Sequence, residues 1–490
     1  MVEEYIEKIM KNMPSIIINV IFIGAFIIYL IEHIQVIKDT ALLIWSFIRK
    51  YIIDIYWRYE RKRYNAELMN STYIQWQLGV IKKIYEELLQ EYRSENDISE
   101  KDLHITELTF EAGEDEEDGI SREYESYTWK MKEIPYPFDG ICDKEYLTFL
   151  GKTDFKSYKD YLYRDEKINV REMKMINRYA SLVKRTIRFP NRIGYMLDEM
   201  YFDENRNLKV KAHVGTYMQN VLQSHILEYE LYRFYCKCFK KVPDWDKKLK
   251  AMSRKEIMEH LPLRKRIHAS QKKECEIFCS GAGRDSLLSV QIMVMVKNYS
   301  GSYDCLRIRR SENVAAKAGY IQLIPSGGFE SINSDMCREA QWTNYSLNKV
   351  LFRELAEECF GLPDDEKNDK MNPEAIYYHT DIEKVVKGLI GENKTVEFEF
   401  LGVAESLVGL RPEFCFLMKI DNMDLVNDIS CNEESDKQIH LIDIRTMEKK
   451  AFWQGEKNEY DDLTKFNCTS AALFELVRQS NLYQECLKGK

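Results

Sequence analysis

Apolar residues are unevenly distributed along the chain, and the first pattern is a long run without charge. Residues 12–31 contain no charged side chain and include Ile16 and Phe22. At about 1.5 Å of rise per residue, a helix of this length crosses the hydrocarbon core of a bilayer. Glu3 and Glu7 precede the run and disfavour a cleaved signal peptide. The pattern predicts a transmembrane helix at residues 12–31, with a buried core helix as the alternative.

A second apolar stretch, residues 41–57, carries Arg49 and Lys50 at its middle. Each of these charges would cost about 2.5–3.5 kcal/mol at the centre of a bilayer. This cost favours an interfacial helix, while a second membrane span remains the alternative. Six basic residues lie between Arg49 and Arg63. Residues 1–63 are therefore predicted to be a membrane anchor. By the positive-inside rule, the bulk of the chain is expected to be cytoplasmic.

The region after the anchor has the periodicity of amphipathic helices. Residues 64–190 are predicted to be a mainly helical linker. Residues 191–275 combine a hairpin near 197–213 with a helix and a basic connector. The connector, residues 237–273, has 13 Lys or Arg against four Asp or Glu. It is interpreted either as a solvated helical linker or as a cationic wall for phosphates or acidic lipid.

From about residue 276 the pattern changes to the alternation typical of β-strands. The strand-like runs are residues 287–296, 305–308, 396–402 and 410–417. A helical segment around residues 352–361 interrupts them. Residues 276–490 are therefore expected to form a domain of α/β class, more specifically α+β, in which a mixed sheet packs against helices.

Composition narrows the range of functions. The chain has 71 Lys and Arg against 80 Asp and Glu, which gives a net charge of −9. An acidic chain is a poor general nucleic-acid binder, so no nucleic-acid partner is expected. The 12 cysteines include no CxxC pair, which disfavours a zinc ribbon or a disulfide scaffold.

The segment Arg353-Glu-Leu-Ala-Glu-Glu358 has a spacing that suits cation binding. On a helix, Glu354, Glu357 and Glu358 lie one above another on one face. Crowded carboxylates repel unless a cation neutralises them, and oxygen donors suit Mg²⁺ or Mn²⁺ bridged to phosphates. Arg353 can reach Glu357 at i+4 and hold it in place.

This segment, with Gly327-Gly328 at the end of the preceding strand, resembles the sequence box of the Nudix family. The resemblance covers residues 276–490 and implies a mixed sheet between helices. It implies metal ligation by Glu354, Glu357 and Glu358, catalysis by Glu357 and Glu358, and cofactor binding by Gly327, Gly328 and Arg353. The implied reaction is attack of water on a diphosphate linkage.

The motif departs from the family pattern in two ways. The interval from Gly328 to Arg353 is longer than the box allows, so its first glutamate has no clear counterpart. Glu330 and Glu339 are the two candidates. The box also has one extra residue before its final glycine, Gly361.

Membrane helices followed by a Nudix-like domain resemble the transmembrane-Nudix effectors of bacterial cyclic-oligonucleotide antiphage systems (CBASS). That resemblance implies an antiviral effector in the bacterial inner membrane. It would bind a cyclic oligonucleotide through its Nudix-like domain and act on the lipid bilayer, as a homo-oligomer, to cause abortive infection. The alternative is a Mg²⁺-dependent Nudix hydrolase of nucleoside diphosphate derivatives.

Overall fold

The computed structural model divides the chain into two compact units, Met1–Lys62 and Arg63–Lys490. The residues that the structure describes are 19–24, 35–112, 118–138, 140–149, 168–186, 191–310, 319–331, 337–361, 379–392, 394–421, 425, 429, 439–454 and 463–489.

The helices with fully described bounds are α1 (Gln35–Leu68), α2 (Ser71–Asn96), α3 (Val170–Thr186), α4 (Tyr217–Asn220), α5 (Ile226–Cys238), α6 (Trp245–Ala251), α7 (Arg254–Glu259), α8 (Pro262–Ala269), α9 (Arg338–Asn344), α10 (Leu347–Cys359), α11 (Thr380–Ile390), α12 (Ile444–Met447), α13 (Lys450–Trp453), α14 (Cys468–Arg478) and α15 (Asn481–Leu487). A π-helical segment, Val221–His225, joins α4 to α5. Short 3₁₀ turns occupy Lys144–Tyr146, Glu274–Phe278 and Leu463–Lys465.

The strands are β1 (Leu103–Phe110), β2 (Ile120–Pro135), β3 (Thr148–Phe149), β4 (Ile193–Phe202), β5 (Leu208–Thr216), β6 (Ser289–Lys297), β7 (Tyr303–Arg309), β8 (Ile321–Leu323), β9 (Ser326–Gly328), β10 (Val396–Ser406), β11 (Arg411–Ile420) and β12 (His440–Asp443). The principal sheet has the order β1-β2-β10-β11-β6-β7-β12, with β8 paired to β7 and β9 paired to β6. Its β11–β6 pair is parallel and the other pairs are antiparallel. This mixed arrangement confirms the predicted α+β class.

Helices cover both faces of the principal sheet. On one face, α14 packs in an apolar cluster that includes Met293, Met295 and Leu417. Side chains alternate between faces along a strand, so Phe416 points to the other side, where its ring centroid lies 4.9 Å from that of Phe138. Phe138 N donates to Asn348 Oδ1 of α10 at 3.1 Å. The sheet therefore lies between α14 and α10.

The prediction of a mainly helical region at 64–190 is confirmed for α2 and wrong for β1 and β2. Helix α2 begins where the side chain of Asn70 accepts hydrogen bonds from the Thr72 and Tyr73 amides. Strand β2 instead pairs with both β1 and β10. Its Tyr127, Thr128 and Trp129 are residue types that favour strands. Segments predicted to be linker thus extend the principal sheet.

Several other sequence predictions are confirmed. Strands β4 and β5 form the antiparallel hairpin predicted near 197–213. The strand-like runs of the last region correspond to β6, β7, β10 and β11. The predicted helix around 352–361 corresponds to α10.

The predicted membrane anchor lies only partly within the described residues. Of the predicted span at 12–31, residues 19–24 are described and are helical. The second stretch, 41–57, lies within α1. Among the residues that the structure describes, no helix is both long enough and apolar enough to cross a membrane.

Candidate functional site

The glycine pair and the acidic helix of the predicted motif lie against each other. Gly327 and Gly328 are in β9, whose partner is the central strand β6. Helix α10 packs against both strands. A Cβ atom placed on Gly327 would lie 1.9 Å from Glu354 Oε2. Glycine at this position allows the approach, because any larger side chain would force the Glu354 carboxylate to move.

Arg353 ties the helix to the segment that follows β9. Its Nη1 donates to the Glu330 carbonyl oxygen at 2.6 Å and its Nη2 to the Gly328 carbonyl oxygen at 2.7 Å. Nη2 also pairs with the Glu354 carboxylate, and Nε lies 3.9 Å from Glu357 Oε2. The predicted i+4 pair is thus present, and Arg353 has more partners than that pair alone.

Burial and charge act in opposite directions on Arg353, whose side chain is only 3% exposed. Burial lowers the pKa of its guanidinium, but the charges of Glu354, Glu357 and Glu330 raise it by more than burial lowers it. The pKa therefore lies above its ordinary value. The group therefore remains a cation held between three carboxylates.

The other predicted glutamates divide into two sets. Glu358 Oε2 accepts a hydrogen bond from the Ser326 amide at 2.8 Å. Glu330 lies beside Arg353 and its Oε2 is 3.7 Å from Arg192 Nη1. Glu339 is exposed on α9. Of the two candidates for the first glutamate of the box, Glu330 belongs to the site. Sequence reasoning missed Arg192 and Ser326, which carry no motif signal.

The donor chemistry of the site suits a hard cation, because Glu354, Glu357 and Glu358 offer only oxygen atoms. Their ligand atoms are not all within 4.8 Å of one another. Among the described residues, the one group of three that meets this distance is Glu91, Glu95 and Cys275, of which the two glutamates are exposed. The three motif carboxylates would therefore need to change rotamer to share one ion.

Part of the basic connector is neutralised by ion pairs. It folds as α6, α7 and α8, as the solvated-linker interpretation predicts. Its cations pair with carboxylates in the contacts Lys250–Asp246 (2.6 Å), Lys273–Glu95 (2.9 Å), Arg254–Glu274 and Lys240–Glu67. A cavity of about 580 Å³ beside α8 is lined by Arg171, Lys265 and Arg266 and by Glu172 and Glu259. Its mixed charges do not make a cationic wall.

No protein-family model matches the chain, and no curated protein matches it. A functional interpretation therefore depends on the residues and their geometry. The principal features are the close approach of Gly327 to Glu354 and the position of Arg353 between three carboxylates.

Proposed function

We propose that the chain is a membrane-anchored effector of a bacterial CBASS antiphage system. Residues 276–490 act as a Nudix-like domain that binds a cyclic oligonucleotide, and the amino-terminal segment acts on the bacterial inner membrane to cause abortive infection. The observation that carries the proposal is the engagement of the motif carboxylates. Glu354 and Glu357 face Arg353, and Glu358 accepts from the Ser326 amide. This arrangement favours a receptor over a hydrolase.

A divalent cation has a defined place in the proposal. Glu354, Glu357 and Glu358 would hold Mg²⁺ or Mn²⁺ once their side chains turn from their present partners. When bound, such an ion neutralises phosphate charge. Arg353 keeps Gly328 and Glu330 in place through their carbonyl oxygens, which orients the loop on which a ligand would rest.

Exposed aromatic residues support a membrane role for the first unit. Within α1, Trp45, Phe47 and Tyr59 are 62%, 72% and 65% exposed. Arg49 and Lys50 are exposed on the same helix. Aromatic and basic side chains together suit the headgroup region of an acidic bilayer. A ligand-driven response also requires two states with different ligand affinity, such as a monomer and a homo-oligomer.

The test is calorimetric titration of the full-length protein with cyclic di-, tri- and tetranucleotides in the presence of Mg²⁺, with the ligand recovered for mass analysis. We expect tight binding of one of them and recovery of the intact ligand. Failure of a well-folded sample to bind any of them would overturn the proposal.

The second candidate, a Mg²⁺-dependent hydrolase of nucleoside diphosphate derivatives, is favoured by one observation. Glu330, one of the two candidates for the first glutamate of the box, lies beside Arg353. Hydrolysis that is lost in Glu330→Gln and in the double variant Glu357→Gln, Glu358→Gln would support this function. The exposed Glu339→Gln is the matched control and should retain activity.

A further inference from the structure

A second group of charged residues lies at the strand ends near the motif. Arg310 directly follows β7, and Arg411 and Glu413 are the first and third residues of β11. His225 ends the π-helical segment, a type of helix that is often found at functional sites. We name Arg310, Arg411, His225 and Glu413 the Arg310–Arg411 cluster.

Arg411 connects two members of this cluster. Its Nη1 lies 3.0 Å from His225 Nε2, and its Nη2 donates to Glu413 Oε1 at 2.9 Å. Asn220 Nδ2 also lies 3.1 Å from His225 Nε2. A guanidinium can only donate, so Nε2 is an acceptor and the imidazole is neutral, with its proton on Nδ1. The histidine therefore adds no positive charge but fixes the orientation of Arg411.

Arg310 and Glu413 each have a buried polar atom without a hydrogen-bond partner within the described residues. Arg310 donates from Nη1 to the side chain of Gln322, but its Nε is shielded and has no acceptor. The side chain of Glu413 is 4% exposed, and its Oε2 has no donor. Buried polar atoms are nearly always hydrogen-bonded in folded proteins. Arg310 therefore lacks one acceptor, and Glu413 lacks one donor.

The electrostatic field connects the cluster to the acidic helix. Burial lowers the pKa of Arg310, and the neighbouring charge of Arg411 lowers it further, whereas Glu413 and Glu358 raise it. Glu358 is a member of the predicted metal-binding motif. The two guanidinium groups thus repel each other beside a carboxylate that a ligand-bound cation could share.

We infer that the Arg310–Arg411 cluster binds the phosphate of a nucleotide-like ligand. A phosphate oxygen accepts from Arg411, whose side chain is 25% exposed, and from Arg310 Nε once the Arg310 side chain turns toward it, which reduces the repulsion between the two arginines. A sugar hydroxyl or base amino group of the same ligand donates to Glu413 Oε2. The identity of the ligand as a nucleotide rests on the proposed function, whereas the need for an anion with a nearby donor group follows from the cluster itself.

The test uses inorganic pyrophosphate and ADP as probes, titrated calorimetrically into the full-length protein without divalent cations. We expect both probes to bind, ADP more tightly because it also offers hydroxyl donors. Arg411→Gln and Arg310→Gln should each weaken pyrophosphate binding roughly 10- to 100-fold, the range for a hydrogen bond to a charged group. If Arg310→Gln does not fold, Arg411→Gln, whose side chain is 25% exposed, still tests the inference.

Arg478→Gln is the matched control. Its side chain is 28% exposed and its Nε lies 3.1 Å from Glu448 Oε2, so it loses a similar ion pair elsewhere and should bind pyrophosphate normally. Absence of pyrophosphate binding by folded wild-type protein, or equal binding by wild type and both arginine variants, would overturn the inference. Pyrophosphate binding that depends on the arginines, without binding of any cyclic nucleotide, would overturn the proposed function alone. Cyclic-nucleotide binding that both arginine variants retain would overturn this inference alone.

Discussion

Two polar clusters that contain neighbouring residues of the chain differ in how many of their polar atoms are hydrogen-bonded. The first, which we name the His213 cluster, consists of His213, Asp198, Asp285, Gln219 and Gln223. His213 Nδ1 lies 2.7 Å from Asp198 Oδ1 and Nε2 lies 3.2 Å from Asp285 Oδ1. Asp285 Oδ2 accepts from the Gln219 and Gln223 amides at 2.9 and 2.7 Å. Every ring nitrogen and Asp285 oxygen is thus paired.

The Arg310–Arg411 cluster is incomplete by comparison. It begins twelve residues after His213 at His225, yet it retains the partnerless Arg310 Nε and Glu413 Oε2 within the described chain. A buried network in which every polar atom is hydrogen-bonded stabilises the fold, whereas an incomplete network has atoms that a ligand could hydrogen-bond. The difference assigns a structural role to the His213 cluster and a ligand-binding role to the other.

The largest expected effect comes from isosteric amide substitutions in the two clusters. Asp285→Asn removes one of the charges that neutralise protonated His213 and turns an amide donor toward Gln219 or Gln223. We expect it to lower the free energy of unfolding by about 3 kcal/mol. Glu413→Gln retains an oxygen for Arg411, whose own side chain is 25% exposed, and its amide group displaces no donor, so the loss should be smaller than that of Asp285→Asn. Urea unfolding of both variants measures the difference, and equal losses would contradict the comparison.

The second effect is a pH dependence that belongs to the His213 cluster. Burial lowers the pKa of His213, but hydrogen bonds to Asp198 and Asp285 outweigh it and raise the pKa from 6.5 to about 9. The folded state therefore binds more protons than the unfolded state between these values. The stabilisation is complete below pH 6.5 and is lost as pH rises through about 9, to a total of about 3 kcal/mol.

Urea unfolding at several pH values from about 6 to about 10 measures this loss, because that range spans the unfolded and the folded pKa of His213. The His213→Gln variant should be less stable than the wild type at neutral pH. Most of the decline in its free energy of unfolding with rising pH should be absent. A decline of unchanged size in His213→Gln would assign the pH dependence to other groups. His225→Gln should leave it unchanged, because His225 is neutral in the Arg310–Arg411 cluster.

The smallest effect extends the comparison to the predicted motif. Gly327→Ala places a methyl group against the Glu354 carboxylate and should lower the free energy of unfolding by roughly 1–3 kcal/mol. Glu354→Ala in the same chain should relieve the clash, with a coupling of about 0.5–3 kcal/mol in a double-mutant cycle. Gly140→Ala is the control, since a Cβ there meets nothing within 4 Å. Additive losses at Gly327 and Glu354 would show that the two residues do not constrain each other.

Local patterns were sufficient to predict the elements of the candidate site. Alternation predicted β6 and β11, and helical spacing predicted α10 with Arg353 paired to Glu357. The failure at β1 and β2 has a tertiary cause. Their residues favour strands, but β2 gains its main-chain partners from β10, far away in sequence, and no local pattern shows that pairing.

The functions of particular charged residues were harder to predict. Glu330 and Glu339 are equivalent in the sequence, and only the fold brings Glu330 to Arg353. Arg411 and Glu413 stand out as charges at the start of a buried strand, which is a weak signal. Nothing in the sequence relates them to His225, because the pairing depends on where the π-helical segment meets β11.

The sequence by itself determined the α+β class, most of the strands after residue 276, and the carboxylate spacing of α10, because these depend on periodicity within one element. The tertiary structure decided which charges are satisfied. The fold brings two carbonyl oxygens and three carboxylates to Arg353, and it leaves buried atoms of Arg310, Glu413 and Arg353 itself (Nε) without partners in the described residues. Hydrogen bonding and desolvation act between segments distant in the chain, so only the fold assigns these residues their contacts.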